Sequence, residues 1–350
     1  MERLQRRKAA RSVTIHDVAL QAGVSHMTVS RVLNGEGYVK PDTRERVTEA
    51  IRALNYAPNA AARSLAGVRP PRIGLLYDNP STGYLSEFLL GALDEARKTE
   101  AQMFVERLVE GESSQAAIDR LLASGADGII LPPPLCESPE ALDEVLSSGA
   151  AAVAMAPGLE SALMPTVRID NQAAASDLTG HLLSLGHRRF GVINGADNQT
   201  VSRQRLAGFL SAIALAGLSP ADVRIEPGDF TYRSGLVAAE RILNDPRRPT
   251  AIFAANDDMA AAALMAAHSM GLRTPGDLSI VGFDDTSIAS TVWPSLTTIR
   301  QPIADMARDA VDLLVREIER KRSGDGPPAQ ALHKHLLIVR GSSGPAPVGA

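Results

Sequence analysis

Cysteine is almost absent from this chain. The single residue, Cys136, excludes a disulfide within the chain and a cysteine metal cluster, and it suits a reducing compartment. No stretch approaches the roughly 18 uninterrupted apolar residues that a membrane helix needs. The N-terminus, M-E-R-L-Q-R-R-K-A-A-R, is basic without an apolar core, so it does not read as a secretory signal. There is no G-x-S-x-G elbow, no phosphate loop and no H-E-x-x-H pair. Neighbouring aspartates do occur, but adjacent residues of a strand point to opposite faces and do not make an acid/base pair. A cytoplasmic protein with no enzymatic activity, cofactor or metal is expected.

The 350 residues suffice for two or three domains, and 45% apolar content allows real cores. The net charge of −4 hides a polarity. Residues 1–66 hold 11 Lys/Arg against 6 Asp/Glu, a net of +5, while the remainder holds 25 against 34, a net of −9. A basic head on an acidic body confines phosphate affinity to the head.

The head carries V-T-I-H-D-V-A-L-Q-A-G-V-S-H-M-T-V-S-R-V-L-N-G, Val13 to Gly35. Thr14 is an N-cap with Asp17 at the capping-box position, and Ile15, Val18 and Ala19 share one helical face. Gly23 supplies a sharp turn. Ser25 caps a second helix with Val29, Val32 and Leu33 inward and His26, Met27, Ser30 and Arg31 outward. Two helices joined by a short Gly turn form the helix-turn-helix pattern, whose second helix enters the DNA major groove. A third helix starts near Pro41 and carries Val47, Ala50, Ile51 and Leu54 as its apolar stripe. Asn55 to Gly67 reads as a short alanine-rich helix with one large apolar side chain, Leu65. Alone it is too short to be stable in water, but paired with a second copy it suits wedging a base step in the minor groove. V-R-P-P-R then forms a stiff connector.

From Ile73 the texture becomes α/β. Strand-like runs fall at 73–77, 103–107, 128–132, 151–155, 190–195, 223–227, 251–256 and 278–285, with helical segments around 85–99, 113–124, 138–148, 172–186, 203–217, 232–244, 257–271 and 302–322. Short apolar strands alternating with helices indicate parallel sheets covered on both faces. Their number exceeds one six-stranded sheet, so two lobes are expected. Ligands of such folds bind beyond the carboxyl ends of strands, which nominates Asn194, Asn256, Asp257, Asp284 and Asp285.

These motifs resemble the lactose/galactose repressor (LacI/GalR) family. The head motif is followed by T-R-E-R-V, N-Y-x-P-N and A-x-S-L-A. The body adds H-L-L-S-L-G-H-R-R-F, R-L-A-G-F, A-A-N-D-D-M-A, V-G-F-D-D-T and L-T-T-I-R-Q-P, in order from about Val13 to Arg340. The resemblance implies a transcription regulator with a three-helix helix-turn-helix head, a hinge helix and a two-lobed periplasmic-binding-protein-like body of two doubly wound parallel sheets. It divides the chain into a basic arm (1–12), the DNA-binding domain (13–57) and the hinge helix with linker (58–72). A first lobe (73–169 with 299–328), a second lobe (170–298 with 329–342) and a disordered tail (343–350) follow. It also implies a homodimer on pseudo-palindromic double-stranded operator DNA, with a small sugar-like effector between the lobes. No leucine-heptad segment follows Arg340, which favours a dimer over a tetramer.

Carried over by motif, Ser25 to Leu33 is the recognition helix. His26 and Met27 occupy the positions that carry much operator specificity, the imidazole suiting a guanine edge and the thioether a thymine methyl. Arg31 suits a bidentate guanine contact. Thr14, Ser25, Thr28 and Asn34 suit backbone contacts, which position without specifying, the alternative for Thr28 being to cap its own helix; Ser30, on the outward face, is a further DNA-binding candidate. Asn59, Ala62 and Leu65 match hinge positions. Lys40 stands where the family often has a capping Ser. In the cleft the pattern places Arg205, Asn256 and Asp284, with Asp170 near the crossover and Phe230 against a sugar face. Tyr84 and Phe88 stand in S-T-G-Y-L-S-E-F, a departure from the family's N-P-[FY]-F. Two simpler roles compete with effector binding: Asp257 as the cap of the helix at 258–270, and Asp285 as the cap of a turn. A sugar-gated repressor, a corepressor-type regulator answering to a purine, an enzyme on a doubly wound fold and a pure sugar-binding protein are the four readings. The basic head argues against the last.

Overall fold

Thr14 opens the first helix by a local exchange. Its amide and hydroxyl both donate to the Asp17 carboxylate, at 2.8 and 2.7 Å, as the spacing predicts, and α1 runs Ile15–Ala22. Gly23, at φ +64°, ends it in the left-handed region that favours glycine. Ser25 Oγ accepts from the Thr28 amide at 3.2 Å and starts α2, His26–Asn34. Helix α3, Pro41–Ala53, begins on proline, and Lys40 before it makes no side-chain cap. Val18, Ala19, Ala22, Val29, Val47 and Ala50 form the buried centre of this three-helix unit. In this computed structural model, residues 13–34, 38–54, 56, 69–109, 111–219, 221, 223–323 and 327–347 are described. They fall into two units, Met1–Pro70 and Pro71–Ala350.

The second unit is the α/β body. Its first half runs β1 (Arg72–Tyr77), α4 (Thr82–Lys98), β2 (Gln102–Arg107), α5 (Ser114–Ala123), β3 (Gly128–Leu131), α6 (Pro139–Ser147), β4 (Ala151–Met155) and β5 (Thr166–Ile169). Then come α7 (Asn171–Ser184), β6 (Phe190–Asn194), α8 (Thr200–Leu215), β7 (Val223–Pro227), α9 (Tyr232–Leu243), β8 (Ala251–Ala254), α10 (Asp257–Ser269) and β9 (Ser279–Asp284). A short α11 (Ser287–Thr291), β10 (Thr297–Arg300), α12 (Ile303–Ser323), β11 (Gln330–His333) and β12 (Leu336–Ile338) complete it. All eight strand-like runs and all eight helical segments read from the sequence are present, shifted by a few residues at their ends.

The strands make two six-stranded sheets, β11-β5-β4-β3-β1-β2 and β12-β10-β9-β8-β6-β7. Every pairing is parallel except that of β12 with β10. Inner strands such as β3, β4, β6, β8 and β9 are buried along their whole length, whereas the edges β2 and β7 are partly exposed. Uniformly apolar inner strands are what helices on both faces require. Among the described residues no helix is long and apolar enough to cross a membrane.

The division between lobes differs from the expected one. Strand β10 belongs to the second sheet, so Ile299 and Arg300 lie in the second lobe, and β11 pairs with β5 in the first. The chain therefore crosses between lobes three times among the described residues: after β5, after β10 and after β11. The expected disordered tail also needs correcting for residues 343–347. The Gly344 amide donates to Ser279 Oγ at 3.0 Å and the Ala346 amide to the Leu185 carbonyl at 2.9 Å. Buried His187 lies beneath this segment. Its Nε2 is 3.0 Å from the Gly344 carbonyl, which can only accept, so Nε2 carries the proton. Nδ1 then accepts from Thr250 Oγ1 at 2.9 Å. Burial lowers the His187 pKa and keeps the ring neutral.

Candidate functional sites: a helix-turn-helix face and an interlobe cleft

On α2, Met27, Ser30 and Arg31 follow helical spacing on the side opposite Val29, Val32 and Leu33. His26, Met27 and Arg31 are exposed, Met27 by 57%, and Ser30 is half-buried. A large apolar side chain held open on a basic unit suits a thymine methyl. The His16 and His26 rings sit 5.2 Å apart, which brings the start of α2 beside α1. Thr14 and Ser25 already serve as caps, and the Thr28 hydroxyl is 2.9 Å from that of Ser25. Asn34 is the last residue of α2. Asn59, Ala62 and Leu65 lie outside the described residues, as does the basic arm.

The body's site follows from its topology. In each sheet the strand order reverses once, between β1 and β3 and between β6 and β8, and doubly wound folds open a crevice at that point. The chain leaving β1 supplies Ser81 and Tyr84, and the chain leaving β3 supplies Cys136 and Glu137. From the second lobe, β6 leads to Ser202 and Arg205 and β8 leads to Asn256 and Asp257.

Arg205 is the centre of the second-lobe wall. It is 5% exposed. Its Nε donates to Asn171 Oδ1 at 3.0 Å, its Nη1 to the Ala255 carbonyl at 2.5 Å, and its Nη2 lies 3.6 Å from Asp284 Oδ1. The guanidinium also covers the Phe283 ring at 3.7 Å. Asp284, at the end of β9, accepts from Gln301 Nε2 at 2.6 Å. Burial pushes its pKa up to about 6, against the opposing pull of Arg205 and Gln301. Asp284 and Asp285 both have positive φ, at 112° and 58°, a sharp turn that L residues rarely adopt.

Other expected residues have identified structural roles. Asn256, not Asp257, caps α10: its Oδ1 accepts from the Met259 amide at 2.9 Å, and its Nδ2 donates to the Phe230 carbonyl at 2.9 Å. Asp257 instead ties three elements together, accepting from Thr298 Oγ1 at 2.7 Å and the Thr286 amide at 2.8 Å. Burial holds its carboxyl well above the usual range. Asp285 pairs with Arg300 and Arg340, each at 2.7 Å, rather than capping a turn. Asp170 is exposed and caps α7 through the Ala173 amide at 2.9 Å. Phe88 fills the core of the first lobe, and Tyr232 is 39% exposed. Phe230 has its ring end against Gly195, where any Cβ would come within 2.1 Å of it. Asn194 is buried at the end of β6. Tyr84 is 5% exposed, and its hydroxyl has no hydrogen-bond partner among the described residues. Burial raises its pKa, and the Asp284 charge acts on it in the same direction, so Tyr84 stands within electrostatic reach of the second lobe's wall.

The sequence reading passed over the residues that join the lobes. Ser81 Oγ caps α4 and donates to Asp258 Oδ2 at 2.6 Å. Glu137 accepts from the Gly158 and Thr200 amides, each at 2.6 Å, and Gln204 Nε2 donates to the Gly158 carbonyl at 2.6 Å. Ser81 precedes a helical run as caps do, so a signal existed for its local role. Nothing local marks its partner 177 residues away.

This pairing of units has known counterparts. A model of bacterial regulatory proteins of the lacI family matches residues 14–59, and a periplasmic binding protein-like domain matches residues 179–343. Catabolite control protein A of Priestia megaterium is 34% identical over 326 residues, covering 92% of this chain and 97% of that protein. The chain belongs to the LacI family. The transcriptional repressor PurR of Escherichia coli is 35% identical over 93% of this chain and 96% of its own length. Among solved structures, the Lac repressor dimer bound to operator and the anti-inducer ONPF superposes with a TM-score of 0.73 at 29% identity, covering 95% of this chain and all of that one. The regulator CelR in complex with cellobiose gives 0.70 at 30% identity, covering 94% and 99%. As a LacI-family member the chain is a DNA-binding transcriptional regulator with an effector-binding body, and its relatives are regulators rather than enzymes.

Proposed function

We propose that this protein is a dimeric repressor of carbohydrate-utilisation genes that leaves a pseudo-palindromic operator when a small sugar-like effector binds between its lobes, and that it performs no catalysis. The observation that carries the reading is the buried Arg205–Asp284 pair beyond the strand ends of the second sheet, where the strand order reverses. Paired donors and acceptors suit vicinal hydroxyls. The neighbours seen with cellobiose and with ONPF support it. A purine corepressor is not favoured. A flat heterocycle calls for an open aromatic face, yet Arg205 covers Phe283 and Phe88 is in the core. On DNA, His26, Met27 and Arg31 read bases, and Thr14, Ser25, Thr28, Ser30 and Asn34 lie against the backbone. The test is fluorescence anisotropy with the promoter region of the protein's own gene, with and without sugars. Specific binding should be about a thousandfold or more tighter than to a scrambled duplex, and one sugar should weaken it tenfold or more. Equal affinity for both duplexes, or indifference to every sugar, would refute the proposal.

A further inference from the structure

Helix α8 begins without a cap of its own. Gln199 stands at its N-cap position and makes no side-chain bond to the first turn, although the opening amides of a helix need acceptors. The acceptor comes from the other lobe. Glu137 ends the short turn Leu135–Glu137 that follows β3. Its Oε2 accepts from the amide of Thr200, the first residue of α8, and its Oε1 from the amide of Gly158, between β4 and β5, each at 2.6 Å. Gln204, one turn into α8, closes the ring by donating Nε2 to the Gly158 carbonyl at 2.6 Å. One carboxylate thus holds an amide of each lobe, and the N-terminus of α8 favours its negative charge.

The approach is close enough to require glycine. A Cβ at position 158 would lie 2.4 Å from Thr200 Cγ2 and 2.7 Å from Thr200 Cβ. Gly158 is not among the residues with positive φ, so the nearness of α8, and not the local backbone conformation, excludes a side chain there. Arg205 sits on the same helix, within two turns of Thr200. We infer that Glu137 is a positioning residue of the regulatory switch: by capping α8 from the opposite lobe it ties the helix that carries Arg205 to the first lobe, and so sets how the two lobes stand before any effector binds. The first lobe continues in sequence from the DNA-binding unit, across Pro70 and Pro71, so this tie bears on operator affinity. The inference rests on the chain being a DNA-binding regulator, and it is independent of which compound fills the cleft.

The experiment compares the full-length wild type with E137A, G158A, the double variant and E137Q, all without sugar. Fluorophores on D119C in α5 and E240C in α9, both exposed positions, report the distance between lobes by energy transfer. Buried Cys136 stays unlabelled, and an excess of unlabelled chain gives each labelled protomer an unlabelled partner. Anisotropy with the promoter region of the protein's own gene gives the operator Kd. E137A and G158A should each lower the transfer efficiency and change the operator Kd about threefold or more, in the same direction. The double variant should go no further than the larger single one, because both break one tie. E137Q, which keeps a single acceptor oxygen, should fall between wild type and E137A. A carboxylate that merely stabilised α8 would lower the melting temperature and leave transfer and Kd unmoved, which overturns the inference. Fully additive effects of E137A and G158A overturn it as well. Altered transfer with an unaltered Kd overturns the link to the switch. If wild type fails to bind the promoter region, the function proposed above is refuted, and the transfer efficiencies still decide whether Glu137 ties the lobes.

Discussion

Beyond the ends of β6, β8 and β9 the second lobe presents a finished polar wall: Arg205, Asn256, Asp257 and Asp284, each buried and each bonded to a neighbour. Beyond β1 and β3, at the same topological position, the first lobe presents Tyr84, whose hydroxyl has no partner among the described residues, and Ser81 and Glu137 reaching across to Asp258 and Thr200. The two lobes repeat one strand order, yet one is built as a rigid receptor and the other as a lid. Arg205, Asn256, Asp257 and Asp284 all bond within the second lobe. Ser81 and Glu137 of the first lobe divide their bonds between their own lobe, at the Tyr84 and Gly158 amides, and the other.

Breaking the wall should therefore cost stability, and breaking the lid should cost the response. Arg205→Ala is expected to be the largest perturbation. It leaves Asp284 buried without its counter-charge and should lower unfolding stability by about 3–5 kcal/mol, read by denaturant unfolding of the full chain. A loss no greater than that of a first-lobe variant would erase the distinction.

The pH dependence comes next. Asp284 has a folded pKa of about 6 against an ordinary value of 3.8. Its contribution is full below the ordinary value. Between about 4 and 6 the unfolded chain releases the proton first, so stability falls as pH rises. The stability difference between wild type and Asp284→Asn should decline across that window and then level off; a flat difference would show that burial does not act on this carboxyl. Asp257→Ala should cost roughly 1–3 kcal/mol by stranding Thr298 and the Thr286 amide. Least of all, Ser81→Ala should cost about 1 kcal/mol through the lost α4 cap, yet shift effector affinity more than Asp170→Ala, which removes a cap of the same kind that has no partner in the other lobe. Equal affinities would mean that the Ser81–Asp258 bond does not report closure.

The body was legible because its inner strands are covered on both faces. That requirement leaves uniform apolar runs such as G-I-I-L and A-I-F-A, which no amphipathic helix would show. The site was legible in part for the same reason, since polar residues ending such runs, Asn256 and Asp284 among them, stand out. What escaped notice depends on distant partners. S-S-G-P-A-P has the composition of a disordered tail, but Gly344 and Ala346 are held by Ser279 and Leu185. The adjacent polar residues 256 to 258 could not be sorted in sequence: Asn256 caps, Asp257 ties and Asp258 bridges. Ser202, whose buried hydroxyl has no partner among the described residues, is one serine among many in the sequence, and that property belongs only to the folded chain.

The tail pinned over His187 also sets how this body would yield to force. Tension applied at its two ends enters through β1, which is flanked by β2 and β3 in the first sheet, and through residues 343–347, which lead to β12 at the margin of the second. A central strand must shed two rows of bonds at once, whereas a marginal one peels a single row. Stretched in a force spectrometer, the chain should unravel from its C-terminal end, second lobe first.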